Sequence, residues 1–290
     1  MPNNTNNPSH TPQFSELVAL DVRLALTEDV GPGDVTAELI PETQQCKAKV
    51  ISRENAVLCG QAWFDAVFAA MSNEIIINWK KNDREKIEAD DTLCEITGPA
   101  RAIITAERCA LNFLQTLSGT ATLARQYADQ VHDLPVTLLD TRKTIPGLRN
   151  AQKYAVKTGG CSNHRFGLYD AILIKENHLI AAGSIEKAVQ TLSSQHPDLA
   201  IEMEVESLEE MDMAIKAGVK RLLLDNFSLE QLKTAVEKKP NNVELESSGN
   251  VSLETVREIA ETGVDYISIG GLTKHVTAID LSMRLTMESQ

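Results

Sequence analysis

The sequence predicts an α/β protein in which a mixed α+β segment precedes an incomplete α/β barrel. From about residue 119 onward, six short apolar runs alternate with helical stretches, which is the rhythm of a parallel sheet. Each run ends in charged residues, small polar residues or glycine. Barrels assemble their sites from the carboxyl ends of many strands, whereas a doubly wound sheet usually concentrates its site at one switch point. Six strand ends that carry polar, charged or glycine residues therefore favour a barrel over a doubly wound sheet. Since only six strands are predicted, the barrel would have fewer than eight.

The composition is that of a globular protein and excludes several function classes. The chain has 290 residues, 42% of them hydrophobic, and a net charge of −13, which argues against general affinity for nucleic acid or anionic membrane. No apolar run reaches the roughly 18 residues that span a bilayer. The five cysteines form no C-x-x-C pair, so we expect neither a disulfide framework nor a zinc site, and a cytoplasmic location.

The first part of the chain lacks the strand–helix alternation. Residues 1–13 are polar without the basic and apolar regions of a signal peptide, which predicts a disordered tail. Helical spacing of apolar residues predicts a helix from Phe14 to about Leu26, and an apolar stripe predicts another at 105–118. Between them we expect a helix near 63–71 and three strands. The three strand candidates are residues 47–52, 74–79 and 92–97.

The second part supplies the barrel. Ser207-x-x-Glu210 and Ser228-x-x-Gln231 are capping-box patterns that predict the start of two of its helices. The six predicted strands are residues 136–140, 171–176, 200–206, 221–226, 242–249 and 266–271.

A basic segment stands out in this acidic chain. Seven Lys or Arg residues and a single acid, Asp170, fall between Arg142 and Lys175. Arg142, Lys143, Arg165 and Lys175 are at predicted strand ends or in the glycine-rich turn between them. Several unpaired cations in a dry pocket are costly unless an anion joins them. The segment therefore predicts a site for a small molecule with several negative charges.

Carboxylates alternate along one predicted strand. Glu202, Glu204 and Glu206 share a face. Glu204, near the strand centre, is the better candidate for a pocket role, whereas Glu202 or Glu206 could pair with a neighbouring Lys or Arg. Asp225, at the end of the next strand, is the natural second carboxylate. Glu204 and Asp225 could bind Mg²⁺, directly or through water, or stabilise a cation developing on a sugar ring.

Several residues keep alternative interpretations at this point. A strand-end lysine such as Lys175 is also the nucleophile of Schiff-base aldolases. His164 could act as a general acid or base, contact an anion, or be a hydrogen-bonding turn residue. Lys153 and Lys157 could lie on a solvated helix face. Cys161 has no base placed beside it, so we interpret it as a small turn residue.

Seven motifs follow one another in this order: GPARAIITAERCALNFLQTLSG, LLDTRKTIPGLR, GGCSNHRFGLYDAILIKENH, EMEVE, LLLDN, SSGN and GVDYISIGGLTKH. Together they closely resemble the quinolinate phosphoribosyltransferase family, also called carboxylating nicotinate-nucleotide diphosphorylase. The likeness runs from about residue 17 to residue 284. One series of motifs is highly specific for this family: DTRKT-x-PGLR followed by NHR-x-GL-x-D and L-I-K-x-NH.

The resemblance implies a type II phosphoribosyltransferase fold. A barrel of about seven strands would occupy residues 119–275, and an N-terminal domain would occupy residues 14–118, completed by residues 276–290. It also implies a homodimer in which each site lies between one subunit's barrel and the other's N-terminal domain. The implied reaction converts quinolinate and 5-phosphoribosyl-1-diphosphate to nicotinate mononucleotide, carbon dioxide and diphosphate. This is a step of de novo NAD synthesis, with Mg²⁺ as the cofactor.

The resemblance also implies residue roles. Lys143, Lys175, Glu204 and Asp225 would be catalytic, and the two carboxylates would also serve the metal, directly or through water. Arg108, which lies off the apolar stripe of its helix, would enter the site from the neighbouring subunit. The residues implied to bind the substrates are Arg108, Thr141, Arg142, Lys143, His164, Arg165, Lys175, Glu204, Asp225, Ser248, Gly249, Asn250, Gly270, Gly271 and Leu272.

Within this set, the basic residues would grip the two quinolinate carboxylates and the glycine-rich strand ends would hold the 5′-phosphate. Two motifs at the phosphate end depart from the common family pattern, because this chain has SGN and TKH where many members have SGG and T-H-S. The alternatives are a nicotinate phosphoribosyltransferase, whose substrate has one carboxylate and leaves the excess of cations unexplained, and a non-catalytic module that binds a polyanion.

Overall fold

The computed structural model describes residues 13–287. Apart from Gln13, the tail predicted at residues 1–13 lies outside this range, as do residues 288–290 of the segment predicted to complete the N-terminal domain. The described residues divide into two compact units, one formed by residues 13–116 with 279–287 and the other by residues 117–278.

The first unit contains a four-stranded sheet in the order β12-β1-β5-β3, and β1 is antiparallel to both of its neighbours. The bounds of its strands are Gln45–Ser52 for β1, Ile76–Trp79 for β3, Thr92–Pro99 for β5 and Leu281–Met287 for β12. A separate two-stranded ribbon pairs β2, Ala56–Val57, with β4, Lys86–Ile87.

Two helices pack together in this unit. Helix α1 spans Phe14–Asp29 and α2 spans Gln61–Met71, so the predicted helices are present but longer. The rings of Phe14 and Trp63 join them edge to face, with centroids 5.4 Å apart. Trp63 is fully buried whereas Phe14 remains half exposed, so the indole supplies most of the apolar burial in this contact.

Helix α3, Ala100–Gln130, is much longer than the predicted 105–118. The prediction stopped at Ser118, yet Ser118 and Gly119 continue the helix, and Ala121 and Ala124 beyond them are fully buried. A Cβ at Gly119 would collide with the carbonyl oxygen of Thr277. The glycine is therefore explained by close backbone approach, and packing overrides its weak intrinsic tendency to end a helix.

The second unit is built on six parallel strands in the order β6-β11-β10-β9-β8-β7. Their bounds are Thr137–Leu139 for β6, Ile172–Ile174 for β7, Ile201–Val205 for β8, Arg221–Asp225 for β9, Glu244–Ser248 for β10 and Tyr266–Ser268 for β11. Ser162 adds a parallel bridge to Leu139 at the free edge of β6. With this one-residue strand the count is seven, and the prediction of an incomplete α/β barrel is confirmed.

Six helices connect these strands, and a seventh, α10, follows the last strand. Their bounds are Arg149–Gly159 for α4, Glu176–Ala182 for α5, Ile185–Gln195 for α6, Leu208–Lys216 for α7, Leu229–Lys238 for α8, Val256–Ala260 for α9 and Gly271–Lys274 for α10. Both predicted serine caps are present. Ser228 and Gln231 form the full reciprocal box at α8, whereas Ser207 accepts a hydrogen bond from the Glu210 N–H at α7.

The core of the second unit consists of apolar side chains from the strand centres and from the inner faces of the helices. Met203, Leu222, Leu245 and Ile267 are all fully buried. This core fixes the strands so that their carboxyl ends share one edge. Between residues 13 and 287 there is no helix with the length and hydropathy needed to cross a bilayer.

Candidate active site

A cavity of about 430 Å³ opens at the carboxyl ends of the parallel strands of the second unit. It is lined by Thr141, Arg142, Lys143, His164, Arg165, Leu173, Lys175, Glu204, Leu223, Asp225, Glu246, Ser248 and Ser268. Nine of the predicted site residues are among them. The four basic residues come from three different strand ends, so the fold brings them together although they are up to 33 positions apart in the sequence.

Six predicted site residues do not line this cavity. Gly249, Asn250, Gly270, Gly271 and Leu272 lie beside the lining residues in the chain, and Leu272 is fully buried with its N–H donating to the Ile269 carbonyl at 3.4 Å. Arg108 belongs to the first unit and is exposed on α3.

Four lining residues were not predicted. These are Leu173, Leu223, Glu246 and Ser268. Each lies two positions before a predicted site residue on the same strand or just past its end, and side chains two apart on a strand share a face. That alternation is the signal from which they could have been found.

Arg142, Lys143, Arg165 and Lys175 form the basic wall of the cavity. This wall contains a hydrogen-bond donor that has no acceptor in the described part of the chain. Nε of Arg142 is buried and has no hydrogen-bond partner among the described residues. Burial, together with the positive charge of Arg142, lowers the pKa of the Arg165 guanidinium. Two guanidinium groups that repel each other and lack a full set of acceptors would be stabilised by an anion between them.

Not every cation of the basic segment belongs to this wall. Arg149 donates to Thr144 Oγ1 at 3.1 Å, to the Phe166 carbonyl at 3.0 Å and to the Arg142 carbonyl at 3.5 Å. Its fork thus ties the loop after β6 to the turn before β7. Arg149 supports the cavity without lining it.

Lys153 does not lie on a solvated helix face, which was one interpretation of its position in the sequence. Its side chain is fully buried and pairs with Asp140, and its ammonium also donates to the His164 carbonyl at 2.9 Å. Burial raises the pKa of Asp140 and lowers that of Lys153, and the attraction between the two opposes both shifts. Asp140 also accepts from Asn163 at 2.7 Å and from the His164 N–H at 2.9 Å. The pair therefore anchors the segment of the cavity wall that carries His164. Lys157 is exposed, as expected for a solvated position.

Buried polar side chains also hold the loop after β6. Gln152 accepts from the Ile145 N–H at 2.8 Å and donates to the Thr273 carbonyl at 2.9 Å. The Thr273 hydroxyl donates to the Lys143 carbonyl at 2.8 Å. These bonds fix the main chain of Lys143 against α10, so the lysine enters the cavity from a constrained backbone.

The acidic side of the cavity consists of Glu204 and Asp225. Glu204 forms an ion pair with Lys175, and Asp225 accepts from Asn226 Nδ2 at 2.9 Å. The two carboxylates lie at the ends of adjacent parallel strands. Their oxygen donors are of the hard type that Mg²⁺ prefers, so the donor set fits such an ion.

Backbone geometry is special at the end of β10. Gly249 has φ +106°, and a Cβ there would collide with the amide oxygen of Asn226. Asn226 and Asn250 adopt the left-handed region at φ +56° and +49°, where asparagine is tolerated better than most residues. The SGN departure from SGG thus places an asparagine at a position whose conformation suits glycine.

A buried acidic network lies beneath the cavity. His164 Nε2 donates to Glu202 at 3.0 Å, while Arg221 donates to Glu202 at 3.2 Å and to Glu246 at 2.7 Å. Burial raises the pKa of Glu246 to about 7, and the charge of Glu202 adds to the shift. Burial also acts to raise the pKa of Glu202, but the hydrogen bond from His164 and the charge of Arg221 lower it below its ordinary value. Glu202 therefore pairs with a neighbouring arginine, as one of its predicted alternatives stated.

The raised pKa of Glu246 predicts a pH-dependent stability. Its folded-state pKa, about 7, exceeds the ordinary value of 4.5, so its favourable contribution is complete below pH 4.5 and is lost as pH rises through 7. Relative to Glu246→Gln, the wild type is expected to lose up to roughly 3 kcal/mol of unfolding free energy between pH 5 and pH 8. Urea unfolding midpoints at both pH values test this. Equal pH dependence in both proteins would contradict it.

Cys161 and His178 have local structural contacts. The Cys161 thiol is buried and donates to the Ala124 carbonyl at 3.3 Å, and burial raises its pKa to about 12. Such a thiol is not a nucleophile at neutral pH. His178 Nδ1 accepts from the Lys175 N–H at 3.0 Å at the start of α5.

The fold and this cavity define an α/β-barrel protein whose strand-end cations and paired carboxylates suit a polyanionic small molecule. The family model for the quinolinate phosphoribosyl transferase N-terminal domain matches residues 34–118, and the model for the C-terminal domain matches residues 120–284. The chain belongs to the quinolinate phosphoribosyltransferase family, and the resemblance seen in the sequence is confirmed.

Individual relatives agree with this assignment. The chain is 37% identical over 264 residues to a probable carboxylating nicotinate-nucleotide pyrophosphorylase of Bacillus subtilis, and the match covers 91% of each protein. The structure of the nicotinate-nucleotide pyrophosphorylase of Francisella tularensis is similar with a TM-score of 0.89 at 43% identity, covering 98% of this chain and all of that one. NadC of Streptococcus pyogenes has a TM-score of 0.91 at 36% identity, covering 97% of this chain and 100% of its own.

Proposed function

We propose that this protein is a quinolinate phosphoribosyltransferase that makes nicotinate mononucleotide, carbon dioxide and diphosphate from quinolinate and 5-phosphoribosyl-1-diphosphate, in de novo NAD synthesis. The observation that carries the proposal is the meeting of Arg142, Lys143, Arg165 and Lys175 around one cavity in a member of this family. Two polyanions repel each other in water, so a cationic cavity lowers the cost of placing them side by side.

At the basic wall, Arg142 and Arg165 would bind the two carboxylates of quinolinate. A guanidinium presents a planar pair of N–H donors that matches a carboxylate, and the unpartnered Nε of Arg142 is such a donor. Thr141, Lys143 and His164 line the same cavity. Two carboxylates held in this way would fix the pyridine ring, with its nitrogen directed toward the ribose.

At the acidic side, Glu204 and Asp225 would face the ribose. The pyridine nitrogen forms a bond to the anomeric carbon while the bond to the diphosphate oxygen breaks, and the bonding pair leaves with diphosphate. Positive charge that develops on the ribose is stabilised by the two carboxylates. Lys175, which pairs with Glu204, would contact the departing diphosphate and the substrate, and Lys143 would complete the catalytic set.

Decarboxylation then needs no group beyond the substrate. When the adjacent carboxylate departs as carbon dioxide, its electron pair stays on the ring carbon, where the positive charge of the quaternised nitrogen stabilises it, and that pair then takes up a proton. The residues of the basic wall hold the ring in place throughout. The strand ends at Ser248–Asn250 and Gly270–Leu272 would hold the 5′-phosphate through main-chain N–H groups.

Mg²⁺ would be held by Glu204 and Asp225, directly or through water. When bound, the ion neutralises part of the diphosphate charge. The support for this is the donor set, since both carboxylates line the cavity.

We also propose a homodimer with shared sites, in which Arg108 of one subunit completes the basic wall of the other. Arg108 is exposed on α3, so it is available to a partner. In this arrangement residues 14–118, completed by 276–290, supply Arg108, and residues 119–275 supply the cavity.

The five described cysteines are free thiols, which supports a cytoplasmic enzyme, and the net charge of −13 supports partners other than nucleic acid or membrane.

A direct assay tests the proposal. The purified protein is incubated with quinolinate, 5-phosphoribosyl-1-diphosphate and Mg²⁺, and nicotinate mononucleotide and diphosphate are measured. We expect both products in equal amounts, and none when nicotinate replaces quinolinate. Binding of both substrates without product would instead indicate a binding module. Trapping of a carbonyl substrate on Lys175 by borohydride would support the aldolase alternative.

A further inference from the structure

Four side chains form a closed network beneath the cavity: His164, Glu202, Arg221 and Glu246. One Glu202 oxygen, Oε2, accepts from His164 Nε2 at 3.0 Å, and the other, Oε1, accepts from Arg221 Nε at 3.2 Å. Arg221 also donates to Glu246 Oε2 at 2.7 Å. Glu202 and Glu246 are 5% and 0% exposed. Glu202 is not among the residues that line the cavity, so any effect it has on a ligand is transmitted through its partners.

The hydrogen bonds fix the tautomer of His164. Its Nδ1 accepts from the Arg165 N–H at 2.7 Å, so Nδ1 carries no proton. Nε2 then carries the ring proton and donates it to Glu202. In this arrangement both ring nitrogens make hydrogen bonds within the protein. The ring instead links Glu202 to the main chain of Arg165.

We propose that Glu202, held by Arg221 and Glu246, is a positioning residue for quinolinate. It fixes the His164 ring, and the ring in turn fixes the main chain from which the Arg165 guanidinium enters the cavity. This inference rests on the proposed function for its substrate. The network itself is a property of the folded chain and can be tested without turnover.

The charges explain why all four residues are needed. Two buried carboxylates opposite one guanidinium leave one negative charge uncompensated. Glu246 Oε1 is buried without a hydrogen-bond partner among the described residues, and it lies 3.6 Å from His164 Nε2. A proton on Glu246 removes the excess charge and provides a donor toward Glu202. Glu202 can then remain ionised and accept from both His164 and Arg221.

The same three groups, His164, Glu202 and Glu246, also lie close enough together to ligate a metal ion. The Arg221 guanidinium already occupies one oxygen of each carboxylate. A divalent ion at the other two oxygens would take His164 Nε2 from its hydrogen bond with Glu202 and would lie beside the positive charge of Arg221. The arrangement therefore favours an arginine-centred network over a metal centre.

Steady-state kinetics with each substrate varied in turn tests the positioning role. Glu202→Gln offers one oxygen where two are used, so either His164 or Arg221 loses its acceptor. We expect the KM for quinolinate to rise roughly tenfold, which corresponds to about 1.4 kcal/mol, and the KM for 5-phosphoribosyl-1-diphosphate to stay within about twofold. Equal rises in both KM values, or a lower melting temperature with unchanged KM values, would overturn the proposal.

The strand that carries Glu246 provides a matched control. Glu244 lies two residues earlier on β10 and is exposed, so Glu244→Gln is expected to leave both KM values unchanged. Glu246→Ala should raise the quinolinate KM as Glu202→Gln does. Glu246→Gln should recover most of the loss, because an amide can accept from Arg221 and donate to Glu202. Failure of the glutamine to improve on the alanine would contradict the assigned role of Glu246.

A spectroscopic test is independent of activity. Nitrogen-15 labelling of the six histidines allows the tautomer of His164 to be measured in the whole protein, with His164→Asn used for assignment. We expect the Nε2–H form in the wild type and a changed tautomer or exchange in Glu202→Gln. A Nδ1–H tautomer in the wild type, or Zn²⁺ binding that Glu246→Gln abolishes, would overturn the network. If the enzyme assay failed and the tautomer were as expected, only the substrate assignment would be lost.

Discussion

Arg142→Ala is expected to lower kcat/KM for quinolinate by roughly 10²–10³-fold. Nε of Arg142 is buried on the cavity wall without a partner among the described residues, so the guanidinium is poised for an acceptor that a ligand would bring. Loss of a charge-assisted, two-pronged contact costs about 3–4 kcal/mol, and each 1.4 kcal/mol is a factor of about ten in rate. The effect should be smaller on the KM for 5-phosphoribosyl-1-diphosphate.

Two control variants separate a contact from a general loss of charge. Lys157→Ala removes a cation from the same basic segment, but Lys157 is exposed on α4 and should give wild-type kinetics. Arg142→Lys keeps the charge and loses the planar fork, so we expect an intermediate loss. The melting temperature of Arg142→Ala should remain close to that of the wild type. Unchanged kinetics in a folded Arg142→Ala protein would remove this residue from the quinolinate site.

Mixing two inactive variants is expected to restore activity. In a dimer of one Arg108→Ala subunit and one Arg165→Ala subunit, one site contains both substitutions and the other contains neither. Random exchange of subunits makes about half of the dimers mixed, each with one intact site, so about a quarter of the wild-type activity should return. The large relative gain arises because each parent has every site damaged.

The measurement requires dimers that have exchanged subunits. Differently tagged variants are mixed, incubated to allow exchange, purified through both tags and assayed, and the doubly tagged fraction should approach half of the wild-type specific activity. A mixture of two separately tagged Arg165→Ala proteins serves as the control and should stay inactive. If doubly tagged dimers form and remain inactive, Arg108 does not complete a neighbouring site.

Much of the fold and of the cavity follows from local sequence. The alternation of apolar runs with capped helices predicts parallel strands, and parallel strands place their carboxyl ends at one edge. Residues immediately after such runs, such as Arg142, Lys175 and Asp225, can therefore be assigned to one cavity from their positions along the chain. The length of α3 could not be predicted in this way. Gly119 is required because the Thr277 main chain, which is distant in the sequence, packs directly against it.

What the sequence by itself determined is the barrel, the family, and the excess of positive charge at strand ends, since all three depend on order and spacing along the chain. Only the tertiary structure decided which charges face the cavity. Arg149 and Lys153 look like their neighbours in the sequence, yet both are used to hold the wall. Glu202, Arg221 and Glu246 meet because β8, β9 and β10 are adjacent in register. Alternation along a strand shows which side chains share a face, but strand order and register decide which partners they find, and these are set by packing of the whole unit.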